Sequence, residues 1–369
     1  MDSRRKIRYA VVGLGHIAQV AVLPAFKHAK HSRLAAIVSG DETKRRRLTR
    51  RYDVQWDTDY AHYDDLLRSG EIDAVYIALP NDMHRDFTVR AAKAGVHVLC
   101  EKPMATTEED CHAMIDAAKS NAVKLMIAYR MHFDPATLEA IRLIGKGELG
   151  NPRLFNSTFT MQVREGNIRA KRRRGGGPLY DIGIYCINAA RYLFRDEPVE
   201  VSALAVNSGE RRFREIDEAV SASLRFPGSR LASFVTSFGA ADAGQLQVVG
   251  SKARLELTPA YEYAEGLTLQ VTEDDRTRRR SFAKHDQFAA ELEYFSDCIL
   301  RDREPEPSGE EGLADVRIIQ ALDRSIATGR PVKVARVPRR RRPEPSQKIS
   351  KRGIPKPPKV VRAPSPHPN

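Results

Sequence analysis

Four short stretches carry residue types that bind anions or move protons. Gly13-Leu14-Gly15-His16-Ile17-Ala18 follows a short apolar run and matches G-x-G-x-x-G/A, with Ala18 as the small third residue. In such a loop the first glycine permits a tight turn, the second lets backbone approach a pyrophosphate, and the small third residue lets the next helix pack closely. The free N–H groups at the helix start then face the anion. Glycine turns that bind nothing show the same pattern, but its place at the opening of a strand–helix–strand unit makes a dinucleotide the expected ligand. The second strand ends in Ser39-Gly40-Asp41, followed by Lys44-Arg45-Arg46-Arg47. An NAD enzyme usually places an acid there to accept from the ribose hydroxyl. Ser39 can instead hydrogen-bond a 2′-phosphate, and Lys44 or Arg45 can neutralise it. NADP is therefore expected rather than NAD, although Asp41 has the wrong charge for it and most of the basic run reads as a solvated helix face.

The third stretch is Cys100-Glu101-Lys102-Pro103. A lysine at the carboxyl end of a parallel strand points into the crevice where ligands bind, and the following proline restrains its backbone; elsewhere a lone lysine would be a surface charge. The fourth is Gly175-Gly176-Gly177-Pro178 followed by Asp181-Ile182-Gly183-Ile184-Tyr185. Asp181 and Tyr185 are four apart, so on a helix they share one face and form an acid–phenol pair able to handle a proton. The same spacing fits a plainer arrangement, Asp181 capping the helix and Tyr185 packing in the core, and the sequence by itself leans that way.

These residues need a scaffold, and the first third of the chain supplies strand patterns at Ile7–Val12, Leu34–Val38, Ala74–Leu79, Val96–Cys100 and Leu125–Ala128. Helical patterns at Asp86–Ala94 and Glu108–Lys119 alternate with them. That alternation predicts a Rossmann-type doubly wound parallel sheet over residues 1–128. Beyond it come an extended segment at Leu154–Val163, an apolar helix around Asp181–Leu193, and strand-like runs at Val199–Val206, Val220–Phe226, Leu231–Phe238, Leu246–Val249 and Leu267–Val271. Closing helices are expected at Phe288–Leu300 and Gly312–Thr328. Residues 129–337 are thus expected to form an α+β domain with a large, open, mostly antiparallel sheet.

A chain of 369 residues fits two domains, and its 41% apolar content suffices for a sizeable core. No apolar run approaches the ~18 residues of a membrane span. Arg4 and Arg5 before Tyr9–Ile17 look superficially like an export signal, but that run contains the glycine loop, so a cytoplasmic protein is expected. The four cysteines, Cys100, Cys111, Cys186 and Cys298, are far apart and predict free thiols rather than a zinc cluster or disulfides; no metal site is expected. The net charge of +13 resides mainly in residues 338–369, where six Arg and four Lys against one Glu give +9. Nine prolines and few apolar residues there predict a disordered, solvated tail. The rival expectation is an anionic-surface tether or a nonspecific nucleic-acid contact.

Taken together, the N-terminal fingerprint, Pro80-Asn81 with His84, Glu101-Lys102-Pro103, and the triple glycine with Asp181-x-Gly-x-Tyr185 resemble the Gfo/Idh/MocA oxidoreductases over roughly residues 7–335. The segments are most like its glucose–fructose oxidoreductase branch. The resemblance implies that Lys102 contacts substrate beside the nicotinamide, that Tyr185 is the acid/base with Asp181 beside it, and that Ser39 and Lys44 hold the NADP phosphate. It also implies that Arg130 lies near the nicotinamide end, and that Gly13, Gly15, His16, Ile17, Gly40, Pro80, Asn81, His84 and Glu101 line the cofactor. Three departures stand out: neither an export leader nor a proline-rich N-terminal arm is expected, the segment before the triple glycine (Asn167 to Arg174) lacks the usual Trp-Arg, and the basic tail is extra.

The expected reaction is hydride transfer between aldose C1 and the nicotinamide, giving a lactone and coupled in that branch to ketose reduction. A free tyrosine titrates near pH ~10, so Tyr185 needs a positive neighbour such as Lys102 to act as phenolate. The alternative is an NADP-dependent xylose or glucose dehydrogenase or reductase with exchangeable cofactor; a dinucleotide sensor without catalysis would need neither Lys102 nor Tyr185. A sugar substrate and a homodimer or homotetramer assembled through the open sheet complete the expectations.

Overall fold

The computed structural model describes residues 5–338 and 341–367. The chain divides into two compact units, each built from more than one stretch of sequence.

The first unit contains the chain through Arg130 together with Asp286–Gly312 and Ile349–Ser365. Its strands are β1 (Ile7–Val12), β2 (Ser32–Val38), β3 (Trp56–Thr58), β4 (Ala74–Ile77), β5 (His97–Glu101) and β6 (Leu125–Ala128). They form one sheet in the order β3-β2-β1-β4-β5-β6, parallel throughout. β1 and β4 are buried almost end to end, as a sheet covered on both faces requires. The order reverses between β1 and β4, and such a switch point leaves a crevice at the carboxyl ends of the strands.

One element of this unit arrives from far along the chain. The helix Gln287–Leu300, capped by the Asp286 carboxylate on the Ala289 N–H at 2.9 Å, packs on β1, β2 and the helix after the glycine loop. Ser296 Oγ lies 2.9 Å from Tyr9 Oη and 2.8 Å from Ser32 Oγ, all buried. A contiguous boundary near residue 128 is therefore corrected: hydrophobic periodicity finds such a helix but cannot say which sheet it covers.

The second unit contains Met131–His285, Leu313–Lys348 and the end of the chain. Its strands are β7 (Pro152–Thr160), β8 (Glu200–Val206), β9 (Ala219–Phe226), β10 (Arg230–Ser237), β11 (Ala243–Gly250), β12 (Ala253–Thr258), β13 (Leu267–Glu273), β14 (Arg276–Phe282) and β15 (Val332–Lys333). They make a nine-stranded sheet in the order β14-β13-β12-β11-β7-β10-β9-β8-β15. All pairs are antiparallel except β7 with β10, so the expected open, mostly antiparallel sheet is present. β14, with four arginines in seven residues and exposed up to Phe282, carries no apolar alternation and was not expected; pairing with β13 specifies it.

The helix Ile184–Phe194 is held by a buried polar network. Arg191, fully buried, pairs with Asp315 and, at 2.7 Å, with Glu197. Asn188 donates to Asp315 at 2.9 Å and lies 2.8 Å from His132 Nε2.

The segment expected to be a disordered tail is placed against both units, apart from Arg339 and Arg340 at its start and the last two residues, which lie outside the described residues. In the second unit Arg342 donates to Glu197 at 3.1 Å and to the Arg191 carbonyl at 3.3 Å. In the first, Lys351 Nζ pairs with Glu293 and donates to the His28 carbonyl. Composition misleads here because many of the anchors are cations on carboxylates and carbonyls, which apolar content does not register.

Candidate functional site

In the first unit the glycine loop leaves β1 at its carboxyl end, and Gly13 N–H donates to Val38 O at 2.9 Å, tying the loop to β2. Gly13 adopts φ +96°, and a Cβ there would lie 2.5 Å from Ala78 O. Over Gly15 a Cβ would meet nothing within 4 Å, and Gly15, His16 and Ile17 are partly exposed while Ala18 is buried. Open space above a glycine next to a helix start is the cradle that a pyrophosphate needs, so these residues fit a dinucleotide.

At the end of β2, Ser39 is 3% exposed. Its hydroxyl accepts from the Asp41 N–H at 3.2 Å, and Tyr60, unmarked in the sequence, hydrogen-bonds to it. Gly40 packs on the Tyr60 ring. Asp41 caps the helix Glu42–Tyr52, accepting from Lys44 N–H at 3.1 Å. That bond, with the charge of Arg362 nearby, holds the Asp41 carboxyl below its usual range. Arg45 is taken up by Asp57 and the Ser39 carbonyl, which leaves Lys44 as the better placed of the two cations expected to meet a phosphate.

Beyond β4, Pro80 has extended backbone and precedes the turn Asn81–Met83. His84 is fully buried, with Nδ1 2.9 Å from Pro103 O and Nε2 2.9 Å from Leu79 O. Burial pushes its pKa down against the pull of these carbonyls. The imidazole braces the Pro80 loop to the Lys102–Pro103 turn.

Beneath that turn lies a cluster that the sequence did not disclose. Tyr76 Oη donates to Glu101 at 2.8 Å, and buried Arg130 donates to Gln287 at 2.6 Å. Glu291, fully buried, lies in the field of both Glu101 and Arg130. Burial pushes the Glu101 carboxyl up against the opposing pull of Lys102, and burial pushes Glu291 well above the carboxylate range, with Glu101 adding to it. Glu101 accepts from the Lys102 N–H at 3.3 Å and so holds the backbone that carries Lys102, while the Arg130 charge opposes the rise of the Glu101 carboxyl. Gln287 and Glu291 come from the distant helix, so no local motif could have announced them.

In the second unit Asp181 and Tyr185 lie across the change from a π turn (Leu179–Gly183) to the α-helix Ile184–Phe194. Asp181 does not cap this helix. Its Oδ2 accepts from Arg169 Nε at 2.7 Å. Burial pulls the Arg169 pKa down, but Asp181 and more weakly Tyr263 and Tyr185 outweigh it, so the net shift is upward. Arg169 is reached by a tight fold-back. Gly177 N–H donates to Arg169 O at 2.9 Å, and a Cβ on Gly176 would lie 2.3 Å from that oxygen. Gly176 and Gly177 permit this approach, and Arg169 was not among the residues expected at the site. Tyr185 is partly exposed, its ring edge-on to Phe159 at 5.6 Å and 5.8 Å from Tyr261. Ser157 Oγ, 2.7 Å from Tyr261 Oη, fixes that support. Tyr185 is thus neither a buried core residue nor loosely held.

All four cysteines are buried and free, and no metal-binding group of His, Cys, Asp or Glu occurs among the described residues. No helix among them is long and apolar enough to cross a membrane.

Comparison with known proteins gives the family. Residues 7–129 match the Gfo/Idh/MocA oxidoreductase family with NAD-binding Rossmann fold, and residues 137–256 match the Gfo/Idh/MocA C-terminal domain. The aldose–aldose oxidoreductase of Caulobacter crescentus, solved with glycerol, is 39% identical; the match covers 89% of this chain and all of that one with a TM-score of 0.86. D-xylose 1-dehydrogenase (NADP+) of Haloarcula marismortui is 32% identical over 86% of this chain and 90% of its own length. A 3-ketoreductase of Actinomadura kijaniata, solved with NADP and TDP-benzene, is 26% identical over 87% of this chain and 98% of that one, TM-score 0.80. The likeness is therefore to aldose–aldose oxidoreductase and xylose dehydrogenase rather than specifically to the glucose–fructose branch. With its glycine cradle, its Glu101-Lys102-Pro103 turn and its Asp181–Tyr185 helix start, the chain belongs to the Gfo/Idh/MocA family of dinucleotide-dependent oxidoreductases.

Proposed function

We propose that the protein is an NADP-dependent sugar dehydrogenase or reductase that oxidises the C1 hydroxyl of a cyclic aldose to a lactone, or runs the reverse reduction. The observation that carries this reading is the Arg169–Asp181 pair beside Tyr185 on one helix start. The bound dinucleotide supplies the two-electron acceptor. Tyr185 takes the C1 hydroxyl proton as the carbonyl forms, its ring held by Phe159 and Tyr261. Asp181, fixed by Arg169, accepts from sugar hydroxyls and orients the ring. Lys102 donates to the reacting oxygen and favours its anionic character. Ser39 and Lys44 read the 2′-phosphate, in keeping with the NADP use of the xylose dehydrogenase and the cofactor bound to the ketoreductase.

The test is a panel of aldoses, xylose and glucose first, with NADP or NAD added and reduced nucleotide followed by absorbance. NADP-dependent turnover of an aldose is the expected result; no turnover of any sugar with either nucleotide rejects the reading. A second reading, sugar-to-sugar transfer with retained cofactor, rests on the likeness to an aldose–aldose oxidoreductase. It predicts that an aldose is consumed without reduced nucleotide appearing in solution. Self-association as a homodimer or homotetramer has its support in apolar side chains on the open face of the nine-stranded sheet, Leu204 at 74% and Leu231 at 52% exposure among them, and light scattering measures it.

A further inference from the structure

The proline-rich C-terminal segment crosses the dinucleotide loop of the first unit. Gln19, on the helix after the glycines, is 1% exposed. Its amide grips Val361 on both sides, Oε1 accepting from Val361 N–H at 2.7 Å and Nε2 donating to Val361 O at 2.9 Å. The same Nε2 donates to Leu14 O inside the fingerprint at 2.9 Å. His16 Nδ1 lies 3.3 Å from Ala363 O, and Arg51 reaches Lys359 O at 2.6 Å. These bonds reach the fingerprint through the side chains of His16 and Gln19. Val361 and Ala363 are buried at 5% and 6%, while the Arg362 side chain between them is 63% exposed.

Arg362 has φ +48°, a conformation that costs a residue with a Cβ and points to a local demand. It aims the guanidinium at the turn after β2, 3.4 Å from Asp41 Oδ1 and 3.3 Å from Thr43 Oγ1. That turn is where a Rossmann fold reads the adenosine ribose, by an acid for a 2′-hydroxyl and by an arginine for a 2′-phosphate. Asp41 alone has the wrong sign for a phosphate, and Arg45 is spent on Asp57.

We propose that Arg362 joins Ser39 and Lys44 in selecting NADP: it cancels the charge of Asp41 and turns its remaining N–H donors to the 2′-phosphate, so that the C-terminal segment forms one wall of the cofactor site. A guanidinium has five donors in a planar fork, enough to hold Asp41 and a phosphate oxygen together. The assignment rests on the NADP reading above and adds to Lys44 a second cation.

The test uses the full-length protein with Arg362→Ala and Arg362→Lys, and a chain ending at Lys348. Binding of NADPH and NADH is titrated by nucleotide fluorescence, with thermal melts as a folding control. Arg362→Ala should weaken NADPH by about ten- to a hundredfold, the worth of one charge-assisted hydrogen bond, and change NADH by less than about threefold. Arg362→Lys should restore part of the loss, since a point charge remains without the fork. The shortened chain should lose NADPH preference as Arg362→Ala does. Unchanged NADPH binding, equal weakening of both nucleotides, or tighter binding on truncation each overturns the assignment. The two ideas separate in the unaltered protein: if it binds NADH as tightly as NADPH, the NADP reading itself falls and Arg362 with it, whereas an NADPH preference that survives Arg362→Ala sinks Arg362 alone.

Discussion

Removing the Arg169 guanidinium is the sharpest probe of the second unit, because its effect passes through one carboxylate. Arg169 and Asp181 are 30% and 19% exposed at a separation of 2.7 Å. An exposed pair contributes about 0–1 kcal/mol, and breaking a fully buried pair costs about 3–5 kcal/mol because a charge is left stranded. A pair exposed to this degree falls between, so the coupling should be about 1–3 kcal/mol, or about 5- to 150-fold in an equilibrium or rate. Four proteins are compared: unaltered, Arg169→Ala, Asp181→Asn and the double variant. kcat/KM for the best aldose and its pH profile are measured for each. If Arg169 acts by holding Asp181, Arg169→Ala should lower kcat/KM within that range, and the second substitution should add little to either single one. Arg169→Lys should recover only part, since a lysine cannot reproduce the guanidinium fork. Simple additivity, with coupling under about 0.3 kcal/mol, would refute the positioning role and leave Arg169 as a general cation.

Three further outcomes follow from the same geometry. Tyr185→Phe keeps the ring against Phe159 and Tyr261 but removes the proton carrier, so turnover should fall at least ~10²-fold with dinucleotide affinity unchanged; full activity in this variant rejects Tyr185 as the base. Gly13→Ala forces a Cβ to 2.5 Å from Ala78 O at φ +96° and should lower stability by about 2–4 kcal/mol, whereas Gly15→Ala should leave the melting temperature unchanged and weaken only nucleotide binding. Calorimetry and nucleotide titration separate the two, and equal melting temperatures would show the Gly13 turn to be pliable. Glu291, whose carboxyl burial holds well above the unfolded value of about 4.3, favours the folded state most when both states are protonated. Its stability contribution is lost as pH rises above ~4.3 toward the folded value. Glu291→Gln should accordingly gain melting temperature on the parent between pH 5 and 8 and gain least near pH 4; a pH-independent difference removes Glu291 as the titrating group.

The parallel sheet was legible because β1, β4 and β6 are short apolar runs bounded by turn residues, and the glycine loop at the end of β1 names its own chemistry. The Asp181–Tyr185 helix start was legible as spacing but not as function, since a cap and a proton pair look alike until Arg169 is seen on the carboxylate. Arg169 itself lies in a run of basic residues that gives no reason to choose one; only the fold-back at Gly176 does. Gln287 and Glu291 lie more than 150 residues from Arg130 in sequence, and sequence patterning carries no information at that range. His84 was expected along the cofactor on the family resemblance alone, and no sequence pattern could show that its imidazole lies between the Leu79 and Pro103 carbonyls. The tail was misjudged for the same kind of reason: low apolar content excludes a core, but it does not exclude a strand of backbone gripped by Gln19.

The return of residues 286–312 to the first unit bears on how the chain is made. Tyr9 meets Ser296, Ser32 meets both Ser296 and the Leu292 carbonyl, and the Ile127 N–H donates to Pro307 O. During synthesis from the N-terminus, the nucleotide-binding sheet therefore emerges with one flank bare and stays so until most of the second unit has followed. Ribosome-bound chains halted near residue 200 should expose apolar surface and attract chaperones, and the released full-length chain should not. A fold usually described as a module that stands alone is, in this chain, finished last.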